Sequence, residues 1–175
     1  MKAISLLQPW ATLVAIGAKR IETRSWCTSY RGPLAIHASK SWTKDTVKLA
    51  FTDPFKTVLR DAGYKLSSSL PRGKIIAMCE LVSMQEITPS YFFGVRSDWK
   101  WVGPDGRQYR YELDDQERIF GDYTPGRYAW LLDNIKRLDQ PMPAKGKLGL
   151  WEWDAIATCS SDFNRLFHNN EVPNG

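Results

Sequence analysis

Three short runs near the amino terminus decide the fold: Lys2-Ala-Ile-Ser-Leu-Leu-Gln-Pro-Trp10, Gly17-Ala-Lys-Arg-Ile-Glu-Thr-Arg-Ser-Trp26 and Arg31-Gly-Pro-Leu-Ala-Ile-His-Ala-Ser39. The alternating apolar residues of the first run predict a strand over 2–7. Pro9 is well suited to open a short helix, and Gly17 to end it. The other two runs predict strands over 20–24 and 33–38. Each run ends in polar or aromatic side chains that can bind a ligand, which indicates a site.

The rest of the chain predicts further strands with helices between them. The predicted elements are a helix over 43–62 with a break at Asp53-Pro54, a strand over 74–84, a short helix over 88–93, a hairpin or long loop around 103–106, a strand over 126–135, a linker at 141–143, a strand over 148–153 and a helix in the tail from 155. Several short strands with two or three inserted helices predict an α+β fold, a small mixed β-barrel.

Composition excludes several classes of protein. The chain has 175 residues, of which 43% are hydrophobic, so it can bury a core as one domain. Its three cysteines are odd in number and far apart, and its two histidines lie more than a hundred residues apart, so we expect neither a disulfide framework nor a metal. No signal peptide or membrane-length apolar stretch is visible, which predicts a cytoplasmic protein that neither crosses nor binds a membrane. We expect no cofactor.

The charge distribution favours an anionic partner. The net charge is +5, and seven basic residues against two acidic ones lie between Lys19 and Lys48. The balance reverses between Glu112 and Asp122. Eight tryptophans are available for a core or for stacking on a base.

The chain resembles a known family, the ASCH domains of the PUA-like superfamily, in their bacterial and phage form. The resemblance rests on Leu7-Gln-Pro-Trp10, Gly17-Ala-Lys-Arg-Ile-Glu-Thr-Arg24, Pro33-Leu-Ala-Ile-His-Ala-Ser39, Gly121-Asp-Tyr-Thr-Pro-Gly-Arg-Tyr-Ala-Trp130 and Gly149-Leu-Trp-Glu-Trp153. It implies a PUA-like β-barrel with helices at the rim and a basic cleft. It covers residues 1–154 as the ASCH domain and leaves 155–175 as a C-terminal extension.

The resemblance also implies a chemistry for some members, which remove the acyl group from the exocyclic amine of acylated cytidine with a Lys, a Thr and a Glu. Their lysine corresponds to Lys19. Their threonine lies three residues later, where this chain has Glu22, with Thr23 one step further. The partner glutamate has no assigned position in this sequence.

The candidate site follows from these residues. Candidate catalytic residues are Lys19, Glu22, Thr23 and Ser39; candidate ligand-binding residues are Gln8, Trp10, Arg24, Trp26, His37 and Trp130. Each has a structural alternative: a lysine after a helix can complement the helix dipole, and Arg24 can pair with Glu22 instead of a phosphate.

Three functions are compatible with this site. The first is binding of RNA or a modified nucleotide or nucleoside in a basic, Trp-lined cleft, and the second is an amidohydrolase acting on acylated cytidine with Lys19 central. The third, a regulatory domain without a ligand, is disfavoured by the cluster of polar residues. The oligomeric state is open.

Overall fold

The computed structural model describes residues 1–65, 69–89, 98–103 and 106–154. Its elements in chain order are β1 Lys2–Leu6, α1 Trp10–Ala15, β2 Ile21–Arg24, β3 Gly32–Ala38, α2 Lys44–Ala50, α3 Phe55–Asp61, β4 Lys74–Glu86, β5 Asp98–Val102, β6 Gln108–Glu112, α4 Asp115–Ile119, β7 Tyr128–Pro143 and β8 Leu150–Glu152.

Six of the strands form one curled sheet in the order β2-β7-β4-β3-β1-β8, and β5 and β6 form a separate hairpin. Strand β1 is parallel to β3 and antiparallel to β8, and the other neighbours are antiparallel. The β4–β7 register shifts at three places, and Asn134 in β7 has a φ of 48°. Because bulges bend and twist a strand, these shifts curl the sheet into a half-barrel. The predicted α+β fold, a small mixed β-sheet structure with inserted helices, is therefore confirmed, with the sheet curled into a half-barrel.

Both faces of the sheet bury apolar residues. One face packs against α1 and contains Ile4, Leu34, Ile36, Trp130 and Leu132. The opposite face includes the cluster Ala3, Ala35, Ile75, Met78, Leu138, Trp151 and Trp153. The alternation of neighbours such as Ala3 and Ile4 between the two clusters is the period-two pattern of a strand.

Most sequence predictions agree with these elements, and one is wrong. The break at Asp53-Pro54 separates α2 from α3, and Gly103 and Gly106 lie between β5 and β6, which pair as a hairpin. Residues 141–143, predicted as a linker, instead end β7, where Met142 pairs with Ile75 and Pro143 with Lys74. Among the described residues, β2 pairs with residues 128–131 of β7 and no strand pairs with the same edge of β7 beyond them. A proline on that edge costs no ladder hydrogen bond. The predicted helix over 88–93 and the tail from 155 extend outside the described residues.

The connection from α1 to β2 positions the first candidate residue. Helix α1 ends at Ala15, and Gly17 follows with a φ of 76°, a conformation that glycine adopts at no steric cost. The backbone N–H of Lys19 then donates to the Leu13 carbonyl at 3.1 Å. This turn carries Lys19 directly into β2.

Candidate functional site

A cavity of about 300 Å³ lies between α1, β2 and α4. We call it the charge-paired cleft; it is lined by Leu6, Leu7, Trp10, Lys19, Glu22, Thr23, Arg24, Leu49, Phe55, Ile119, Phe120, Gly121, Asp122 and Arg127. Five of the ten predicted site residues line it: Trp10, Lys19, Glu22, Thr23 and Arg24.

Lys19 is held at the base of the cleft by acceptors on two elements. Its ammonium nitrogen donates to the Ile21 carbonyl and approaches Glu117 Oε1 at 3.5 Å. Both charged side chains are only 1% exposed. The Glu117 carboxylate also accepts from the backbone N–H of Arg20 at 2.8 Å and of Ile21 at 3.3 Å. An ammonium group has three N–H donors, and two of them point to acceptors within the protein.

Glu22 is the second buried carboxyl of the cleft, with 7% of its surface exposed. Desolvation by burial raises the pKa of Glu22, and the positive charges of Lys19 and Arg24 oppose the rise. Its Oε1 lies 3.5 Å from Arg24 Nη1. Arg24 also donates to the Ser5 carbonyl at 3.4 Å, while its buried Nε has no hydrogen-bond partner among the described residues.

Thr23 lies on the side of the cleft next to the segment after α4. Its hydroxyl oxygen accepts from the Asp122 backbone N–H at 3.0 Å. Asp122 forms an ion pair with Arg127 at 3.2 Å, and Arg127 donates to the Thr23 carbonyl at 3.3 Å. The Thr23 hydroxyl therefore retains a hydrogen to donate.

Aromatic rings form one wall of the cleft. Trp10 meets Phe55 edge to face, with ring centroids 6.3 Å apart, and Phe55 meets Phe120 at 4.8 Å. Phe55 and Phe120 are buried, whereas Trp10 is partly exposed. Trp10 is therefore the ring of this wall that a ligand can reach most directly.

Three predicted ligand-binding residues lie away from the cleft. Gln8 is fully buried, and its amide donates to the Pro71 carbonyl at 2.7 Å and accepts from the Thr12 N–H at 3.1 Å. Trp130 is also fully buried and contacts Trp26 edge to face at 4.7 Å. The partly exposed Trp26 lies beneath Arg24, whose guanidinium carbon is 5.7 Å from the ring centroid.

The remaining two predicted residues line a different, larger cavity of about 690 Å³. We call it the lysine groove; its lining residues are Ser5, His37, Ser39, Lys40, Gly73, Pro143, Ala144, Lys145, Gly146, Lys147 and Leu148. The cluster expected from the sequence is thus divided between two adjoining cavities.

Sequence reasoning missed Glu117, Asp122 and Arg127. The signal for Glu117 is a helix start, since Asp114 caps α4 by accepting from the Glu117 N–H at 2.6 Å. A glutamate at the third position of a helix commonly bonds back to the cap. Here it bonds to Lys19 and its neighbours instead, which only the tertiary structure reveals. Asp122 and Arg127 lie in a stretch that supported the family resemblance but was assigned no role.

Two classes of site find no support in the described part of the chain. Residues 1–65, 69–89, 98–103 and 106–154 contain no group of three His, Cys, Asp or Glu side chains arranged to hold a metal ion. Among the same residues, none of the helices has the length and apolar character needed to cross a membrane.

Comparison with known proteins identifies the family. The ASCH domain family matches residues 4–120, more than half of the chain. The chain belongs to the ASCH domain family. Activating signal cointegrator 1 from Homo sapiens is 33% identical over 154 residues, and the same-named protein from Mus musculus is 32% identical over 154 residues. Each match covers 87% of this chain but only 22% of the relative.

A solved ASCH structure is also similar to this chain. The crystal structure of a mutant ZmASCH protein from Zymomonas mobilis shares 14% sequence identity with a TM-score of 0.41, over 81% of this chain and 72% of that one.

Proposed function

We propose that this ASCH domain binds RNA or a modified nucleotide or nucleoside, and that a base of the ligand enters the charge-paired cleft. One observation carries the proposal: the lining of the cleft combines a partly exposed tryptophan on an aromatic wall with charged side chains that are held in ion pairs. Its volume of about 300 Å³ is in the range of small-molecule sites, roughly 300–1,000 Å³. ASCH domains have a PUA-like fold that is associated with RNA binding.

The pairing of charges favours an uncharged, hydrogen-bonding group in the cleft over a phosphate. Each cation that lines it has a carboxylate nearby: Lys19 has Glu117 at 3.5 Å, Arg24 has Glu22 at 3.5 Å, and Arg127 has Asp122 at 3.2 Å. A phosphate would have to compete with these carboxylates. A nucleobase carries both donors and acceptors on its edge, so it can bond to both kinds of group and stack on Trp10.

Calorimetric titration with free nucleosides tests this proposal. Cytidine, uridine, adenosine, guanosine and their acylated or methylated forms are titrated into the wild-type protein and into Trp10→Ala. Since stacking contributes about 1–3 kcal/mol per base, Trp10→Ala should weaken binding roughly 5- to 150-fold. Phe51→Ala, which removes an exposed ring of α2's carboxyl end, is the matched control and should bind like wild type.

Two results would reject the proposal. One is no measurable binding of any nucleoside or nucleotide by the wild-type protein. The other is binding that Trp10→Ala and Phe51→Ala weaken equally.

A second function, hydrolysis of acylated cytidine, is favoured by a separate observation. Lys19, Glu22 and Thr23 line the same cleft, and burial raises the pKa of Glu22, so its carboxylate takes up a proton more readily than an exposed one, as a general base does. Lys19 donates to a carbonyl and a carboxylate, so it is better arranged to donate a hydrogen bond than to accept a proton.

In this reaction water, or the Thr23 hydroxyl in a first step, adds to the acyl carbonyl carbon. Glu22 accepts the proton of the attacking oxygen and transfers it to the exocyclic nitrogen as the C–N bond breaks. Lys19 stabilises the negative charge that develops on the carbonyl oxygen. With water the products are a carboxylic acid and cytidine; with Thr23 an acyl-enzyme forms first and water then hydrolyses it.

Chromatography of N4-acetylcytidine incubated with the protein tests this function. Turnover should be lost in Glu22→Gln, and its loss in Thr23→Val would identify the hydroxyl as the nucleophile. Ser39→Ala alters the neighbouring groove and serves as the control with wild-type turnover. Binding of acetylcytidine without release of acetate would leave the domain as a binding module.

A further inference from the structure

We propose that the lysine groove is a second subsite, which binds the phosphodiester backbone of single-stranded RNA while a base of the same strand occupies the charge-paired cleft. This inference rests on the proposed function, because it places the backbone of the same RNA whose base enters the cleft.

The groove differs from the cleft in its charge. Of its eleven described lining residues three are lysines, Lys40, Lys145 and Lys147, and none carries a carboxylate. No ion pair joins these lysines to a carboxylate anywhere in the described part of the chain. Unpaired lysines that converge on one concave surface attract polyanions, since each phosphate contact releases condensed counterions.

The segment that carries two of the lysines is held by contacts to the sheet. The Ala144 carbonyl accepts from His37 Nε2 at 3.1 Å, and the Lys147 carbonyl accepts from the Ser5 hydroxyl at 3.0 Å. Gly146 packs so closely that a Cβ atom there would lie 2.3 Å from His37 Cε1. The backbone between Lys145 and Lys147 is thus positioned before any ligand binds, which reduces the entropic cost of binding.

An apolar side chain lies beside the cations. Leu148 lines the groove and is 97% exposed, so its side chain is accessible to a ligand. A nucleic acid strand presents the apolar faces of its sugars and bases between successive phosphates, so it can contact Leu148 and the lysines together.

The groove and the cleft adjoin each other at the carboxyl end of β1. The Ser5 hydroxyl is part of the groove, and the Ser5 carbonyl accepts from Arg24 of the cleft. The next residue, Leu6, lines the cleft, and its carbonyl accepts from the Ser39 N–H at 2.8 Å. Ser5 and Leu6 are adjacent in β1, so their side chains lie on opposite faces of the sheet, and a strand of RNA that occupies both cavities passes around the carboxyl end of β1.

Fluorescence anisotropy with a labelled oligouridylate of about eight nucleotides, measured over a series of salt concentrations, tests the inference. The groove variant combines Lys40→Gln, Lys145→Gln and Lys147→Gln. The control variant combines Lys44→Gln, Lys48→Gln and Lys56→Gln, three exposed lysines of α2 and α3, and so removes the same charge elsewhere.

For single strands the slope of log affinity against log salt concentration changes by about 0.7 per phosphate contact. We therefore expect the groove variant to lose about two units of slope and the control variant much less. Nucleoside binding in the cleft should be unchanged in both. Equal slopes for the two variants, or equal competition by polyglutamate of matched charge, would overturn the assignment of the groove to RNA.

The same measurements separate failure of this inference from failure of the proposed function. If nucleosides bind and Trp10→Ala weakens them, but the groove variant keeps the wild-type slope, only the groove assignment fails. If the groove variant loses slope while no nucleoside binds and Trp10→Ala has no effect on the oligonucleotide, the cleft is not the base site.

Discussion

The charge-paired cleft and the lysine groove adjoin each other at the carboxyl end of β1, yet the cations that line them differ in whether they have carboxylate partners. In the cleft the cations of Lys19, Arg24 and Arg127 each lie within 3.5 Å of a carboxylate. In the groove three lysines share the lining with no carboxylate among the described residues.

Burial explains the difference. A charge removed from water is strongly destabilising unless a partner compensates it, and Lys19 is only 1% exposed. Lys40, Lys145 and Lys147 are exposed, so water solvates them and no partner is needed. The buried Lys19–Glu117 pair therefore belongs to the folded structure as well as to the candidate site, whereas the groove lysines are available to a ligand.

The two cavities should differ most in how much a single substitution lowers the free energy of unfolding. Glu117→Ala leaves the buried ammonium of Lys19 without its carboxylate, and breaking a buried pair in this way costs about 3–5 kcal/mol of unfolding free energy. Lys145→Ala in the groove should change it by no more than about 0.5 kcal/mol. Urea denaturation of the two variants and wild type measures both values.

A double variant shows whether the charge is responsible. Replacing both partners, Lys19→Met with Glu117→Gln, removes the buried charges while the glutamine side-chain oxygen still accepts from the Arg20 and Ile21 N–H groups, so it should recover much of the lost stability. If Glu117→Ala unfolds no more easily than Lys145→Ala, the cleft is not held together by this pair.

The fold could be predicted from the sequence because local patterns specify it. Alternation over 2–7 and 33–38, Pro9 before α1, Gly17 after it and Asp53-Pro54 between two helices all act over a few residues. The prediction of a linker at 141–143 was wrong, although proline disfavours the interior of a sheet. Proline is tolerated at 141–143 because β2, a short and distant strand, does not extend along this part of β7, whose edge is therefore unpaired among the described residues.

The site could be predicted only in part, for the same reason. Glu22, Thr23 and Arg24 come together because they are neighbours in one short strand, β2, and Lys19 lies two residues before it. Glu117 joins Lys19 from 98 positions away, and the local pattern around it indicated only a helix start. Ser39 and Lys19 lie in different cavities because parallel β1 and β3 both end near the boundary between them.

The shape of the groove can be altered without changing its charge. Gly146→Ala introduces a methyl group 2.3 Å from His37 Cε1 and 2.8 Å from Ser5 Oγ, and overpacking of this kind costs about 1–3 kcal/mol. Thermal unfolding measures the loss, and oligouridylate affinity should fall with it because Lys145 and Lys147 move. Leu148→Ala, an exposed site two residues on, should keep wild-type stability; equal stability of both variants would contradict the rigid groove.

The buried Glu22 carboxyl in the cleft should make the folded protein less stable as the pH rises. Burial raises the pKa of Glu22 above its ordinary 4.5, so the folded protein binds a proton more readily than the unfolded chain. This contribution to stability is present below pH 4.5 and is lost as the pH rises through the folded pKa. Glu22→Gln should therefore gain in melting temperature relative to wild type as the pH rises through that window.

The comparison variant for this measurement has no titrating group at the altered position. Thr23→Val changes the same cleft, and its difference in melting temperature from wild type should stay constant with pH. A constant difference for Glu22→Gln as well would show that the Glu22 carboxyl is not desolvated.

The smallest effect is expected for His37, whose protonation should be coupled to the binding of a ligand in the lysine groove. The Ala144 carbonyl can only accept, so His37 Nε2 carries a hydrogen. The Ser5 hydroxyl oxygen accepts from Trp151 Nε1 at 3.2 Å, and the hydroxyl has a single hydrogen to donate. Two acceptors then compete for that hydrogen: His37 Nδ1 at 3.1 Å and the Lys147 carbonyl at 3.0 Å. A second ring proton on His37 would satisfy all of these bonds.

Burial opposes that proton in the free protein and lowers the pKa of His37 below 6.5, and the charges of Lys40, Lys145 and Lys147 line the same cavity. The unfolded chain then binds the proton more readily, so stability should fall as the pH falls below 6.5. A bound phosphodiester offsets the positive charge and raises the pKa, so oligouridylate affinity should increase as the pH falls from 8 towards 6. Anisotropy titrations of wild type and His37→Gln measure this, and a pH dependence that persists in His37→Gln would assign the proton to another group.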